Sequence, residues 1–206
     1  MIGQTNAASE VNSPIILKNT LTNGSLASST DGWTITQYNT LTQNDGYVTI
    51  KMTASGTGTH PNSQTYTNIT GNTAATNQIL YARAKVRGRA TNVSFPRVYV
   101  TCYKNGATTA THKELNSIDG KIDTELNDGE WNGMSGIFQT FDSSLNEYYD
   151  YYRIAFGISK ATPDDEMDIK EVMLVNLTRF FGRGNEPSKE WCDINLKNYL
   201  KVVENP

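Results

Sequence analysis

Apolar and polar residues alternate along much of this chain, and the period is two. From Gly46 to Met52, Tyr47, Thr49 and Lys51 fall on one side and Val48, Ile50 and Met52 on the other, the pattern of a strand with one buried face. Gln78 to Arg89 repeats it at greater length, with Leu80, Ala82, Ala84 and Val86 facing one way and Tyr81, Arg83, Lys85 and Arg87 the other. Phe95 to Lys104 sets Val98, Val100 and Cys102 against Arg97, Tyr99, Thr101 and Tyr103, and an Asn105-Gly106 pair then closes a hairpin or loop. Tyr151 to Ser159 turns Tyr152, Ile154, Phe156 and Ile158 inward and Tyr151 and Arg153 outward. Met167 to Leu177 carries Ile169, Val172, Leu174 and Leu177, and its alternation slips between Ile169 and Val172 as a β-bulge would cause.

Weaker runs complete the set: a short apolar strand over Pro14 to Lys18, a strand near Ser63 to Thr67, and strand character over Trp131 to Phe141. Residues 107 to 130 read as a long polar connection with room for one short strand. About eight antiparallel strands spaced by turn residues, with no helical pattern between them, predict an all-β protein, a jelly-roll β-sandwich. Only after Pro187 does the period change. Cys192, Leu196, Tyr199 and Val203 recur at helical spacing beside Leu200, and Ser188 stands as an N-cap, so a C-terminal α-helix follows. Trp191 occupies the third helical position, where a capping box would need Glu. The expected division is a flexible or docking arm over 1–13, the sandwich over 14–178, and a turn motif with a helix packed on the sandwich over 179–206.

Composition sharpens this outline. Asn and Thr supply roughly a quarter of the 206 residues, favouring turns and strands respectively. A net charge of -3 with no long run of either sign disfavours nucleic acid as a partner. No stretch approaches a membrane span, so membrane insertion is not expected, and residues 1–13 show no secretory pattern. Cys102 and Cys192 have no metal-ligand spacing, and free, buried thiols are the expectation ahead of a bridge.

The most distinctive string is Asn176-Leu-Thr-Arg-Phe-Phe-Gly-Arg-Gly-Asn-Glu-Pro-Ser188. It resembles a closing motif, L-T-x-x-F-G-x-G-N-E-P, of bacteriophage and prophage tail and appendage proteins. The resemblance implies a virion component made in the host cytoplasm, with other virion proteins as partners and a trimer as a common homo-oligomer. A leading strand with Leu-x-Asn, an Asn23-Gly24 turn and Trp33 further on resembles the opening of jelly-roll carbohydrate-binding modules, in which Trp33 would be a packing anchor. That second resemblance implies a structural calcium with Asp168 as a ligand, although Gly24-Ser25-Leu26 lacks the usual following Glu.

No catalytic constellation stands out. His60 and His112 lie in polar loop settings, and the adjacent Asp164 and Asp165 are poorly suited to span a glycosidase cleft. The chain is expected not to be an enzyme, with a wall-degrading hydrolase the least favoured reading. The sharper signal is outward: Tyr81, Arg83, Arg97, Tyr99, Tyr103 and Arg153 would share one side of one sheet if their strands are neighbours. Sugar C–H faces stack on aromatic rings and sugar hydroxyls accept from Arg, so this set suits a host cell-wall glycan. It equally suits a protein interface, which keeps a purely structural virion role open. Tyr148 or Tyr149, exposed on a loop, would add a secondary contact.

Overall fold

The alternating strands pair into antiparallel sheets whose apolar faces meet. The structure is a computed structural model. It describes residues 21, 26, 28–35, 38–54, 65–69, 78–90, 94–103, 110–142, 147–149 and 151–196, with the backbone alone at 65–69, 110–112, 141–142, 147–148 and 151. Its strands are β1 (Asn39–Asn44), β2 (Tyr47–Met52), β3 (Thr65–Ile69), β4 (Ile79–Arg89), β5 (Phe95–Tyr103), β6 (Ala110–Glu114), β7 (Asn116–Ser117), β8 (Asn132–Gln139), β9 (Phe141–Asp142), β10 (Glu147–Tyr148), β11 (Tyr151–Ser159) and β12 (Glu166–Asn176). One sheet has six strands in the order β1-β2-β12-β4-β8-β7, the other four in the order β3-β11-β5-β6, and β9 and β10 form a small ribbon.

The inner faces are those the alternation predicts. Val48, Ile50, Leu80, Ala82, Ala84 and Val86 of the larger sheet join Val98, Val100, Cys102, Ile154, Phe156 and Ile158 of the smaller in one core cluster. Each fully buried aliphatic or aromatic side chain of this kind stabilises the fold by about 1.5 to 3 kcal/mol. Trp33 is half-buried against the same core, its ring 5.5 Å from that of Phe156, which is the anchoring role expected of it. Tyr149 is buried in this core as well, 5% exposed, so it is not the loop contact anticipated. Both thiols are free and buried, Cys102 between the sheets and Cys192 on the C-terminal helix.

β12 carries the expected bulge. Its register against β4 shifts between Lys170 and Met173, and Glu171 takes a φ of 52°. The extra residue lets Ile169 and Val172, three apart, both enter the core. β1 has no apolar period to announce it, because Asn39–Asn44 holds a single apolar residue, Leu41; it is an edge strand beside β2. The connection read over 107 to 130 holds β6, β7 and a 3-10 turn at Asp123–Leu126.

The closing strand ends one residue earlier than predicted. Asn176 stops it by capping α1 (Leu177–Phe181), its side chain accepting from the Arg179 N–H. Gly182 and Gly184 follow with φ of 84° and 81°, values that suit glycine. Thr178 Oγ1 accepts from the Ile79 N–H at 2.8 Å and donates to Glu186 Oε1 at 2.6 Å. Glu186 Oε2 takes the Gly184 N–H at 2.7 Å. The conspicuous string is thus a hydrogen-bonded reversal tied to β4. It delivers the chain to Ser188, which caps α2 (Lys189–Asn195) by accepting from the Trp191 N–H at 3.2 Å. Helical positions Tyr199, Leu200 and Val203 lie outside the described residues, as do the arm over 1–13, the strand over Pro14 to Lys18, His60 and the Asn23-Gly24 and Asn105-Gly106 turns.

Candidate functional site

Alternation along β5 sends Arg97, Tyr99, Thr101 and Tyr103 to the outer face of the four-stranded sheet. The register of β11 sets Arg153 against Thr101, and that of β6 sets Glu114 against Tyr99. Arg153 lies with its guanidinium 5.0 Å from the Tyr103 ring centroid and donates through Nη1 to the Tyr103 hydroxyl at 3.2 Å. Arg97 forks onto both oxygens of Glu114 and packs 5.8 Å from the Phe95 ring centroid. The hydrogen bonds Arg97 donates to Glu114 raise its pKa above the ordinary guanidinium value. Tyr99 is only 4% exposed, and burial pushes its phenol above the ordinary value. Phe95, Arg97, Tyr103 and Arg153 are half-buried, each offering part of its side chain to solvent.

The six residues anticipated as one surface therefore divide four and two. Tyr81 and Arg83 belong to β4 of the six-stranded sheet, and the other four to β5 and β11 of the four-stranded sheet. β4 and β5 are consecutive in the chain yet lie on opposite sides of the sandwich, so the neighbour relation on which the joint surface depended does not hold. Tyr81 is fully buried with Met173, Val175, Leu177, Cys192 and Leu196. Its hydroxyl donates to Asp193 Oδ1 at 2.9 Å, and Arg83 Nη1 donates to the Asp193 carbonyl at 3.1 Å. Tyr81 is thus a structural residue beneath α2.

Asp168 is fully buried on the same sheet. Oδ1 accepts from Thr49 Oγ1 at 2.6 Å and from Arg89 Nη2 at 2.7 Å, while Oδ2 accepts from Arg87 Nε at 2.8 Å. With two guanidinium groups on its two oxygens, Asp168 does not fit the part of a calcium ligand, because a divalent cation there would face two positive charges. Among the described residues no group of three or more His, Cys, Asp or Glu side chains comes together. Gly24 and Ser25 lie outside those residues.

Around this ion cluster sit side chains that sequence patterning did not single out. Arg87 lies 5.3 Å from the Tyr47 ring centroid and 4.8 Å from that of Trp131, and Lys170 Nζ lies 4.0 Å from the latter. Glu114 and Trp131 were legible only as a polar residue in a long connection and as a strand-leading aromatic. The two loop carboxylates are engaged separately. Asp165 is buried and accepts from the Thr162 N–H at 2.7 Å, while Asp164 is exposed and 2.9 Å from Lys51 Nζ. The side chain of His112 lies outside the description.

No family model and no curated protein matches the chain. Solved structures do. The C-terminal family 22 carbohydrate binding module of xylanase 10B from Clostridium thermocellum superposes with a TM-score of 0.51 at 8% identity, covering 74% of this chain and 91% of its own. The CBM22-1 xylan-binding domain from Paenibacillus barcinonensis gives 0.48 at 11% identity over 80% of this chain and 97% of that one. The enzymatically active domain of bacteriophage CBA120 tailspike protein 4 gives 0.49 at 10% identity over 77% of this chain. This chain spans 21% of that tailspike chain. At these identities the likeness is one of fold: an all-β jelly-roll sandwich with a C-terminal helix.

Proposed function

We propose that this chain is a non-catalytic carbohydrate-binding unit of a phage tail or appendage, which holds host cell-surface glycan on the outer face of its four-stranded sheet. The observation that carries the reading is the grouping of Arg97, Tyr99, Tyr103 and Arg153 on that one face. Tyr103 supplies a ring and Arg153, held against it, supplies donors for hydroxyls. The side chains are already positioned by Glu114 and by each other, so less ordering entropy opposes capture. The shared fold of carbohydrate-binding modules supports the same reading, and the Leu177 to Ser188 motif supports the virion setting.

A second reading, a purely structural virion protein whose partners are other subunits, is favoured by one observation. Arg97 is fully engaged by Glu114, and Tyr99 is 4% exposed. Binding of the purified chain to bacterial cell-wall fractions separates the two. Retention that falls at least ~10-fold in Tyr103→Ala and Arg153→Ala supports glycan capture. Unchanged retention in both variants, with loss of assembly onto virion subunits, establishes the structural reading instead.

A further inference from the structure

On the opposite side of the sandwich, a cleft of about 360 Å3 opens between α2 and the turn that follows β7. Arg83 and Lys85 of β4 form its floor, Trp131 and Ile118 one wall, and Asp193 and Ile194 of α2 the other, with Asp119 at the rim. Its volume falls in the range of small-ligand sites. We propose that this cleft is a second saccharide site, separate from the four-stranded face and suited to a neutral sugar unit. The proposal rests on the reading of the chain as a glycan binder.

Three features carry it. The lining pairs two cations with two carboxylates, so it has little net field to attract an anion, and it offers both donors and acceptors to hydroxyl groups. Trp131, Ile118 and Ile194 supply the apolar surface that a sugar's C–H face requires. The polar groups are also fixed in advance. Asp193 is held by the Tyr81 hydroxyl at 2.9 Å and by Lys189 Nζ at 2.7 Å. Arg83, 8% exposed, is held by the Asp193 carbonyl, and Lys85 by Glu171 at 2.8 Å. Groups whose rotamers are already fixed lose little entropy when a ligand arrives. Gly133 leaves room for Ile118 on this side of the cleft, since a Cβ there would stand 2.9 Å from Ile118 Cδ1. The reversal from Gly182 to Ser188 acquires a role in this arrangement, because it lays the α2 wall along the cleft.

The test is calorimetric titration of the full chain with cellohexaose, xylohexaose and chitohexaose, and with oligogalacturonate as an acidic comparison. Asp119 is exposed and Ile194 is 64% exposed, so Asp119→Ala with Ile194→Ser alters the cleft without touching the core. In a chain already carrying Tyr103→Ala and Arg153→Ala, residual binding of a neutral hexaose is expected, and adding the two cleft changes should weaken it at least ~10-fold. Cleft changes that leave affinity unchanged in both backgrounds overturn the second site while leaving glycan binding intact. Binding lost on cleft changes alone, with the Tyr103 and Arg153 changes silent, supports the cleft and overturns the four-stranded face. Oligogalacturonate held in the cleft as tightly as the neutral hexaoses overturns the ligand class, and no binding of any saccharide overturns both proposals.

Discussion

The Tyr81 hydroxyl donates to Asp193 Oδ1 at 2.9 Å, a bond between the middle of the six-stranded sheet and the C-terminal helix, 112 residues apart in the chain. Removing it leaves Asp193 its bond to Lys189 but strips the helix of a polar tie to β4. Tyr81→Phe is expected to lower stability by about 1.5 to 3 kcal/mol, the range for a hydrogen bond to a charged group. Urea denaturation measures it, and an unchanged midpoint contradicts the tie.

The same junction should be sensitive to alkali. Burial, followed by the Asp193 carboxylate, pushes the Tyr81 phenol above its ordinary value, and burial pushes the Cys192 thiol up to about 12. Both groups are neutral when protonated, so the folded chain holds these protons more tightly than the unfolded one. The Cys192 contribution is therefore complete below the ordinary thiol value of 9.0 and disappears as pH rises towards 12. Stability measured from pH 8 to 11 should fall, and should fall less steeply in Cys192→Ala.

An acid-side counterpart lies in the loop before β8. Burial acts upward on the Asp128 carboxyl, but donation by Lys121, the Glu130 N–H and Asn132 outweighs it and holds the pKa down to about 2. The stability it contributes is present above the ordinary carboxyl value of 3.8 and is lost as pH falls towards 2. The difference in stability between the wild type and Asp128→Asn should therefore narrow over that interval in acid titrations followed by circular dichroism.

Asp168 should behave as a buried counter-ion. Asp168→Ala removes the carboxylate that Arg87 and Arg89 share, leaving Arg89 its pair with Glu166 and Arg87 its place against the Tyr47 and Trp131 rings, and is expected to cost about 3 to 5 kcal/mol. Chelation with EDTA should leave the wild-type Tm unchanged. A Tm that falls on chelation and recovers with calcium would reveal an ion site that does not need this carboxylate.

Phe181 packs against the Tyr81, Met173 and Leu177 cluster while half-buried, its ring meeting that of Trp191 edge-on at 5.6 Å between centroids. The loss expected for Phe181→Ala is accordingly below the ~3 to 5 kcal/mol of a fully enclosed ring, nearer ~1.5 to 2.5 kcal/mol by halving that range. Saccharide affinity at the four-stranded face should not change with it. A stable Phe181→Ala chain that loses binding would falsify the structural assignment of the motif.

Alternation disclosed which residues of β4, β5 and β11 face the core, and the slip between Ile169 and Val172 disclosed the bulge. It could not disclose which sheet each strand joins. In a sandwich both inner faces read alike, so β4 and β5 carry the same pattern while lying on opposite sides. The joint surface of six residues failed there, and four of its members kept company. The ion pairing of Asp168 stayed hidden for a related reason. Its partners Arg87 and Arg89 lie about 80 positions away in sequence, on a strand whose pairing with β12 no local pattern reveals. β1 was missed because an edge strand with little to bury needs no apolar period, and α1 because five residues after a capping Asn are too few to show one.

The sheet order has a bearing on biosynthesis. Among the described strands β12 is the last to leave the ribosome, yet it lies between β2 and β4, which have no bond to each other without it. A nascent chain halted before Glu166 has a six-stranded sheet in two unjoined pieces, each with an open edge, and therefore a period of exposure to edge-to-edge association. Assembly of this sheet has to wait for nearly the whole described chain, and a chaperone that shields those edges during synthesis would act on the interval between β4 and β12.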